Sequence, residues 1–366
     1  MASEKGMFTT IGLMSGTSMD GVDAALVVTD GEAIETLGPA LSVPYDDAFR
    51  DRLRSILGAD PVGRPAADEV ARDLTRRHAE AVNRVLAESG LSAAQVDVIG
   101  FHGHTVLHRP QQKITRQIGD AALLAQETGI AVVSDFRSRD VAAGGQGAPL
   151  APLFHAALAG EFEKPLAVLN VGGVANVTWI SPAGGIVAFD TGPGNALIDD
   201  WMREKAGKPM DENGRFAREG KVGDAALDRL LDHPFFGAPY PKSLDRDEFR
   251  LDAVAGLSPE DGAATLTAFT AAAVEKAAAL LPAPPGRWLV TGGGRRNPSL
   301  MAALRRRLMA PVEPVEMVGW RGDALEAQAF GFLAARSLRG LPLSLPSTTG
   351  VARPMPGGVL SRPGGK

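Results

Sequence analysis

The chain contains no cysteine. That removes disulfides, thiolate nucleophiles, zinc fingers and iron–sulfur clusters together, and it fits a reducing compartment. No apolar run reaches the ~18–20 residues that a bilayer span requires. The opening MASEKGMFTTIGLMSG has no long apolar core behind a basic region, so no secretory signal is read there. An excess of positive charge is also missing: the net charge of −5 argues against nonspecific nucleic-acid binding. The expectation is a soluble, cytoplasmic protein with neither membrane nor nucleic acid among its partners.

What is present is ordinary in bulk and unusual in detail. A length of 366 residues suits two domains or one large one and can bury a sizeable core without staples. The 45% hydrophobic and 22% charged fractions are those of a globular protein. Glycine, at 43 of 366 residues, exceeds the usual ~7%. The excess sits in particular turns, and function is sought there.

Residues 8–28 read as a hairpin, with FTTIGLM and VDAALVV flanking the turn formers SGTSMDG. Val70, Leu74, Val82, Val85 and Leu86 recur at helical spacing over 66–89. VDVIGF (96–101) and IAVVSDF (130–136) read as strands, and Asp120 is placed to cap a helix through Thr128. AAGGQGAP (142–149) is the expected boundary between a lobe of residues 1–141 and a second of 142–340. Beyond it, PLAVLNVGGVANVTWI (165–180) again gives strand, glycine turn, strand, as a duplicated domain would. IVAFD (186–190) leads through TGPGN into a helix carrying Leu197, Ile198, Trp201 and Met202. Ser258-Pro259 and Asn297-Pro298 each start a helix by cap and proline, and Asp323 is expected to cap a last helix that Gly340 ends. Residues 341–366 read as an extended surface tail.

Three glycine loops could carry chemistry. In Ser15-Gly16-Thr17-Ser18-Met19-Asp20-Gly21-Val22-Asp23, small residues let main-chain N–H groups approach a phosphate and the hydroxyls add donors. The alternative is a plain hairpin turn capped by Ser and Asp. It is not a Walker loop, since no Gly-Lys-Ser/Thr follows. In Asp190-Thr191-Gly192-Pro193-Gly194-Asn195, a carboxylate at a strand end points to where α/β proteins bind ligands, and the helix beyond favours an anion. Otherwise Asp190 bonds its own turn. Gly292-Gly293-Gly294, after a buried strand, would leave a flat surface for a ring.

In this order on a duplicated frame, the three loops describe a two-lobed nucleotide clamp. The pattern resembles the superfamily of acetate and sugar kinases, heat-shock chaperone ATPases and actin. The fold class this implies is α/β: an actin-like, ribonuclease H-like ATPase with a duplicated mixed-sheet domain and an interlobe cleft. GLMSGTSMDGVDAAL, GFHGHTVLHRP, QIGDAALLAQETGI, SDFRSRDVAAGGQGAPL, LNVGGVANVT, FDTGPGNALID, TGGGRRNP and DALEAQAFGFLA, with TTGVARP in the tail, resemble the anhydro-N-acetylmuramic acid kinase family over nearly the whole chain. Two departures stand out: His104 where the family usually has glutamine, and Ser243-Leu244-Asp245 where it usually has Ser-Thr-Gly.

The resemblance implies an ATP-dependent reaction that adds water at C1 of a 1,6-anhydro amino sugar and a phosphoryl group at O6, within peptidoglycan recycling. One carboxylate base is then essential, and the γ-phosphate takes the place of a glycosidase's general acid. Asp190 matches the family's catalytic aspartate. Gly16 through Asp23 match its ATP-phosphate segment, with Thr191, Gly192, Gly194, Asn195, Gly292, Gly293 and Gly294 on the nucleotide as well. Mg²⁺ is expected, held by Asp20 or Asp23 through waters. For the sugar, the candidates are Ser15, Asp120, Arg139 and Glu326. Arg137, Arg139 and Asp140 share SDFRSRD, and Arg139 is preferred for the lactyl carboxylate. Three of these have plainer readings: Asp120 as a helix cap, Arg139 in surface ion pairs, and Asp323-x-x-Glu326 as a capping box. His102, His104 and His108 read as hydrogen-bonding groups rather than a metal site. A homodimer is compatible with all of this. The rivals are a kinase for another sugar or small acid, and an ATP-binding filament or chaperone protein.

Overall fold

The computed structural model describes residues 6–16, 18–245 and 248–364. The chain forms two compact units, one of Met1–Gly160 with Ala324–Lys366 and the other Glu161–Asp323.

In the first unit β1 (Phe8–Ser15), β2 (Gly21–Thr29), β3 (Ile34–Pro44), β4 (Val98–Arg109), β5 (Ile114–Ile118) and β6 (Val132–Ser134) form one sheet. Its order runs β3-β2-β1-β4-β6, with β5 paired to β4 and a C-terminal strand, Val359–Ser361, added antiparallel to β6. Strands β1, β4 and β6 are parallel, and β2 and β3 return antiparallel. Central β1 is buried nearly throughout because both of its faces are covered. The long helix Pro65–Ser89 starts with proline in its first turn and stops at Gly90 in the left-handed conformation. It buries Val70, Leu74, Val82 and Val85, the stripe that the spacing predicts.

In the second unit β7 (Leu166–Val171), β8 (Val174–Ile180), β9 (Ile186–Pro193), β10 (Arg287–Thr291) and β11 (Val312–Pro314) run in the order β9-β8-β7-β10-β11. Here β7, β10 and β11 are parallel and β8 and β9 return antiparallel, as β1, β4 and β6 are parallel and β2 and β3 return in the first unit. The two units thus share one strand order and one pattern of directions, which is the duplicated mixed sheet the sequence implied. Ser258 and Asn297 cap their helices as expected, through Asp261 N and through Ser299 and Leu300 N.

The helix Leu325–Leu338 lies flat on the first sheet because two glycines make room for it. Gly12 and Gly100 are partners across β1 and β4. A Cβ on Gly12 would come within 1.8 Å of the Ala327 carbonyl oxygen, and one on Gly100 within 2.0 Å of that of Phe330. Main chain against main chain at such range leaves no space for any side chain.

Three expectations need correction. The chain divides after Gly160 rather than at 142–149, and residues 324–340 return to the first unit, because the apolar face of Leu325–Leu338 is spent on the β1–β4 glycine patch. Asp323 does not cap that helix. Ala324 occupies the N-cap position without a side-chain bond, while Asp323 pairs with Arg295 and Arg296. The tail is not merely laid on the surface: Leu343, Ser344, Thr348, Thr349 and Val351 are buried. Its anchor is the buried carboxylate of Asp140, which accepts from Gly147 N at 2.6 Å, from Thr349 Oγ1 at 2.7 Å and from Ser344 Oγ. Asp140→Ala strands these buried donors and is expected to cost about 3 kcal/mol, since each donor left unpaired costs roughly 1–3 kcal/mol. Chemical denaturation, with proteolysis reporting on release of residues 341–364, checks it; an unchanged midpoint would show the anchor to be dispensable.

Candidate active site

The β1–β2 connection is short and pinned from behind. Met19 adopts a left-handed φ of 57° and its N–H donates to Gly16 O at 3.0 Å, closing the turn. The Asp20 carbonyl accepts from Tyr45 N at 2.9 Å. Ser18 and Asp20 are exposed, whereas Thr17 lies outside the described residues. Among the described residues Gly16 has only Ser18 Oγ, at 3.7 Å, near a notional Cβ, so main chain is accessible there. Gly21 and Val22 serve the sheet: a Cβ on Gly21 would meet Val43 O at 2.3 Å, and Val22 is buried opposite Val43. Asp23 accepts a hydrogen bond from Ser42 Oγ across the β2–β3 pair.

Ser15 faces the interior. Its side chain is buried, with Tyr45 OH donating to Oγ at 2.7 Å and His104 Nδ1 at 3.0 Å. Burial pushes the His104 imidazole down to about 4, so it is neutral, and raises the Tyr45 phenol, which remains a donor. His104 therefore supports the hydroxyl at the base of the loop. Ser15, a candidate for the sugar, thus also takes part in an internal hydrogen-bonded chain.

The other sugar candidates belong to the first unit. Arg137 donates through Nε to His102 Nε2 at 3.0 Å and through Nη1 to Gly147 O at 2.7 Å. Since Nε2 accepts, His102 carries its proton on Nδ1 and donates to Gly103 O at 2.9 Å. Burial lowers the Arg137 guanidinium to about 10, opposed by the charges of Glu326 and Asp140. Glu326 is exposed in the first turn of its helix, with no capping box there. Arg139 is exposed and, among the described residues, makes no ion pair. Asp120 does cap its helix, Oδ1 accepting from Leu123 N at 2.9 Å. A cavity of about 240 Å³ lies beside these residues, lined among others by His102, Gln117, Gly119, Ser134, Asp135 and Ser138.

In the second unit, register places Thr291, Asn170, Asn176 and Asp190 side by side across β10, β7, β8 and β9. Directly paired residues share a face, so this is one polar row over four strands. At its end Asp190 Oδ2 accepts from Leu244 N at 2.8 Å. Burial drives the Asp190 carboxyl up to about 7, against the lowering pull of that bond and of Lys242. A carboxyl poised near neutrality is what a general base needs.

The glycine turns meet at the same edge of that sheet. Gly194, Asn195 and Ala196 donate their main-chain N–H groups to the carbonyls of Gly172 and Gly173, and Asn195 Nδ2 adds bonds to Val171 O and Gly172 O. The helix start is thus engaged by the β7–β8 turn. Thr191 is buried with Oγ1 donating to Ala175 O at 3.1 Å, and a Cβ on Gly192 would crowd Ala273 at 2.8 Å. Gly292 and Gly294 pack on Asn170 and Val171, while Gly293 is exposed with only Asn195 Nδ2 nearby, at 3.8 Å from its notional Cβ. Arg295 locks this turn: Nη1 donates to Gly292 O at 2.9 Å, Nε to Glu316 at 2.8 Å, and Nη2 pairs with Asp323 at 2.9 Å.

The sequence model described as anhydro-N-acetylmuramic acid kinase matches residues 8–362. The anhydro-N-acetylmuramic acid kinase of Rhodospirillum rubrum is 59% identical over 97% of this chain and 94% of its own length. That of Paramagnetospirillum magneticum is 60% identical over 95% and 98%. The chain belongs to the anhydro-N-acetylmuramic acid kinase family. It is a kinase.

Sequence reasoning passed over Gly172-Gly173, and it saw Ser243-Leu244-Asp245 only as a departure from the family pattern. The first was within reach, because the duplicated hairpin makes the β7–β8 turn the counterpart of residues 16–20. That departure does not disclose the contact of Lys242 and Leu244 with Asp190, which spans more than fifty positions of chain.

Proposed function

We propose that the protein hydrolyses the 1,6-anhydro ring of 1,6-anhydro-N-acetylmuramic acid and phosphorylates O6 with ATP, giving N-acetylmuramic acid 6-phosphate and ADP. Asp190 carries the proposal: it is a desolvated carboxylate poised near pH 7 with one oxygen held by Leu244 N–H. In the reaction it takes a proton from water as that water attacks C1. The C1–O6 bond breaks, and O6 forms its bond to the γ-phosphorus as ADP leaves. The β1–β2 turn and Gly293 offer accessible main chain for phosphates and a purine ring respectively. Arg139, Glu326 and Asp120 are the candidates for the lactyl carboxylate and hydroxyls.

Mg²⁺ neutralises phosphate charge in such transfers. The exposed carboxylate of Asp20 fits an ion held through waters better than Asp23, which is engaged by Ser42. Among the described residues no group of three or more His, Asp or Glu side chains could hold a metal, so the phosphates would supply the remaining ligands. The reading places the enzyme in peptidoglycan recycling in the cytoplasm; no described helix is long and apolar enough to cross a membrane.

The test is ADP release with the anhydro sugar against simple hexoses, run in ¹⁸O-water. One labelled oxygen at C1 of a 6-phosphorylated product is expected. Phosphorylation of hexoses with no label incorporated would transfer the reading to another sugar kinase.

A further inference from the structure

We propose that the segment Lys242–Leu244 is a positioning strap for Asp190, whose function is to select which carboxylate oxygen faces the attacking water. The inference rests on Asp190 being the base. β9 is the edge strand of its sheet, and the segment continues the hydrogen bonding beyond it. Asp190 N donates to Lys242 O at 3.0 Å, and Leu244 N returns to Asp190 Oδ2 at 2.8 Å. Among the described residues nothing bonds Oδ1, which leaves that oxygen for the proton of water.

The strap is itself fixed. Lys242 Nζ donates to Phe235 O at 2.8 Å and lies 4.5 Å from the Phe235 ring centroid and 5.7 Å from that of Phe189. Phe189 in turn stacks on Tyr240 at 5.3 Å. A main-chain donor anchored in this way cannot rotate aside as a hydroxyl would, so the carboxylate rotamer is set before substrate arrives. The donor being main chain also explains how leucine can stand at 244, since its side chain plays no part in the bond.

Replacing Leu244 by its α-hydroxy acid deletes the N–H and keeps the side chain, at the cost of a weaker Ser243 carbonyl acceptor, and Leu244→Pro deletes the N–H by ordinary mutagenesis. Both are expected to lower kcat roughly 10- to 100-fold, the size of one lost hydrogen bond to a charged group, with KM for ATP unchanged. Leu244→Ala, which keeps the donor, restores most of kcat. Wild-type kcat in the folded hydroxy-acid variant would overturn the strap, as would equal losses in the alanine variant. Asp190→Asn is measured alongside: if it still turns over, the base assignment is at fault rather than the strap.

Discussion

Asp190→Asn is expected to lower kcat by roughly 10²–10⁴-fold, the usual worth of a positioned general base, while KM for ATP stays near its wild-type value. The same substitution should make the protein more stable at alkaline pH. The folded-state carboxyl is raised from 3.8 to about 7, chiefly by burial. The fold therefore favours the neutral form, and this contribution is complete below the unfolded value and lost as pH rises through about 7. A shift of about three units has a ceiling near 4 kcal/mol, and the partial exposure of Asp190 reduces this to about 1–2 kcal/mol. An amide has no charge to hold, so the variant's Tm should exceed the wild type's at about pH 8.5 and converge with it only as pH falls toward the unfolded value of 3.8. Catalysis runs the other way: wild-type log kcat should fall with unit slope below pH ~7 as the base is protonated, with Lys242 the charged group beside it. Normal turnover in the variant, or a Tm difference that ignores pH, would remove Asp190 from this role.

Gly12→Val should be the most damaging substitution for folding. Its Cβ would lie 1.8 Å from Ala327 O and 2.4 Å from Gly331 N. No rotamer relieves a clash with main chain, so the Leu325–Leu338 helix must lift from the sheet, at an expected cost above about 4 kcal/mol. Denaturant titration and the soluble fraction measure it. Gly16→Ala is the control, because its Cβ meets only Ser18 Oγ at 3.7 Å, and a change below about 0.5 kcal/mol is expected. Comparable losses at both positions would mean that the β1–helix approach is not what Gly12 serves.

These two substitutions also separate what the sequence discloses from what it withholds. Local signals were legible: Ser258, Asn297 and Asp120 cap where their side chains and following residues say they should. The hairpins at 8–28 and 165–180 announced the repeated sheet through alternating apolar runs and glycine turns. Pairings between distant segments were not legible. Asp323 has the local look of a cap, yet two guanidinium groups from the glycine turn claim it. The tail has the composition of a loose end, yet Ser344 and Thr349 are drawn in by Asp140. Ser15 reads as a loop hydroxyl, but Tyr45 and His104, distant in sequence, turn it inward. Each miss is a competition that a local pattern cannot score, because the winning partner lies far along the chain.

The division of the chain bears on how the protein is born. The second unit is one uninterrupted stretch, Glu161–Asp323, whereas the first needs residues from both ends of the polypeptide. On the ribosome, the later-made unit has all of its parts as soon as it emerges. The strands made first must wait, with the glycine patch on β1 and β4 bare, until the helix Leu325–Leu338 leaves the exit tunnel. Nascent chains stalled before residue 324 should therefore engage holding chaperones through their amino-terminal portion.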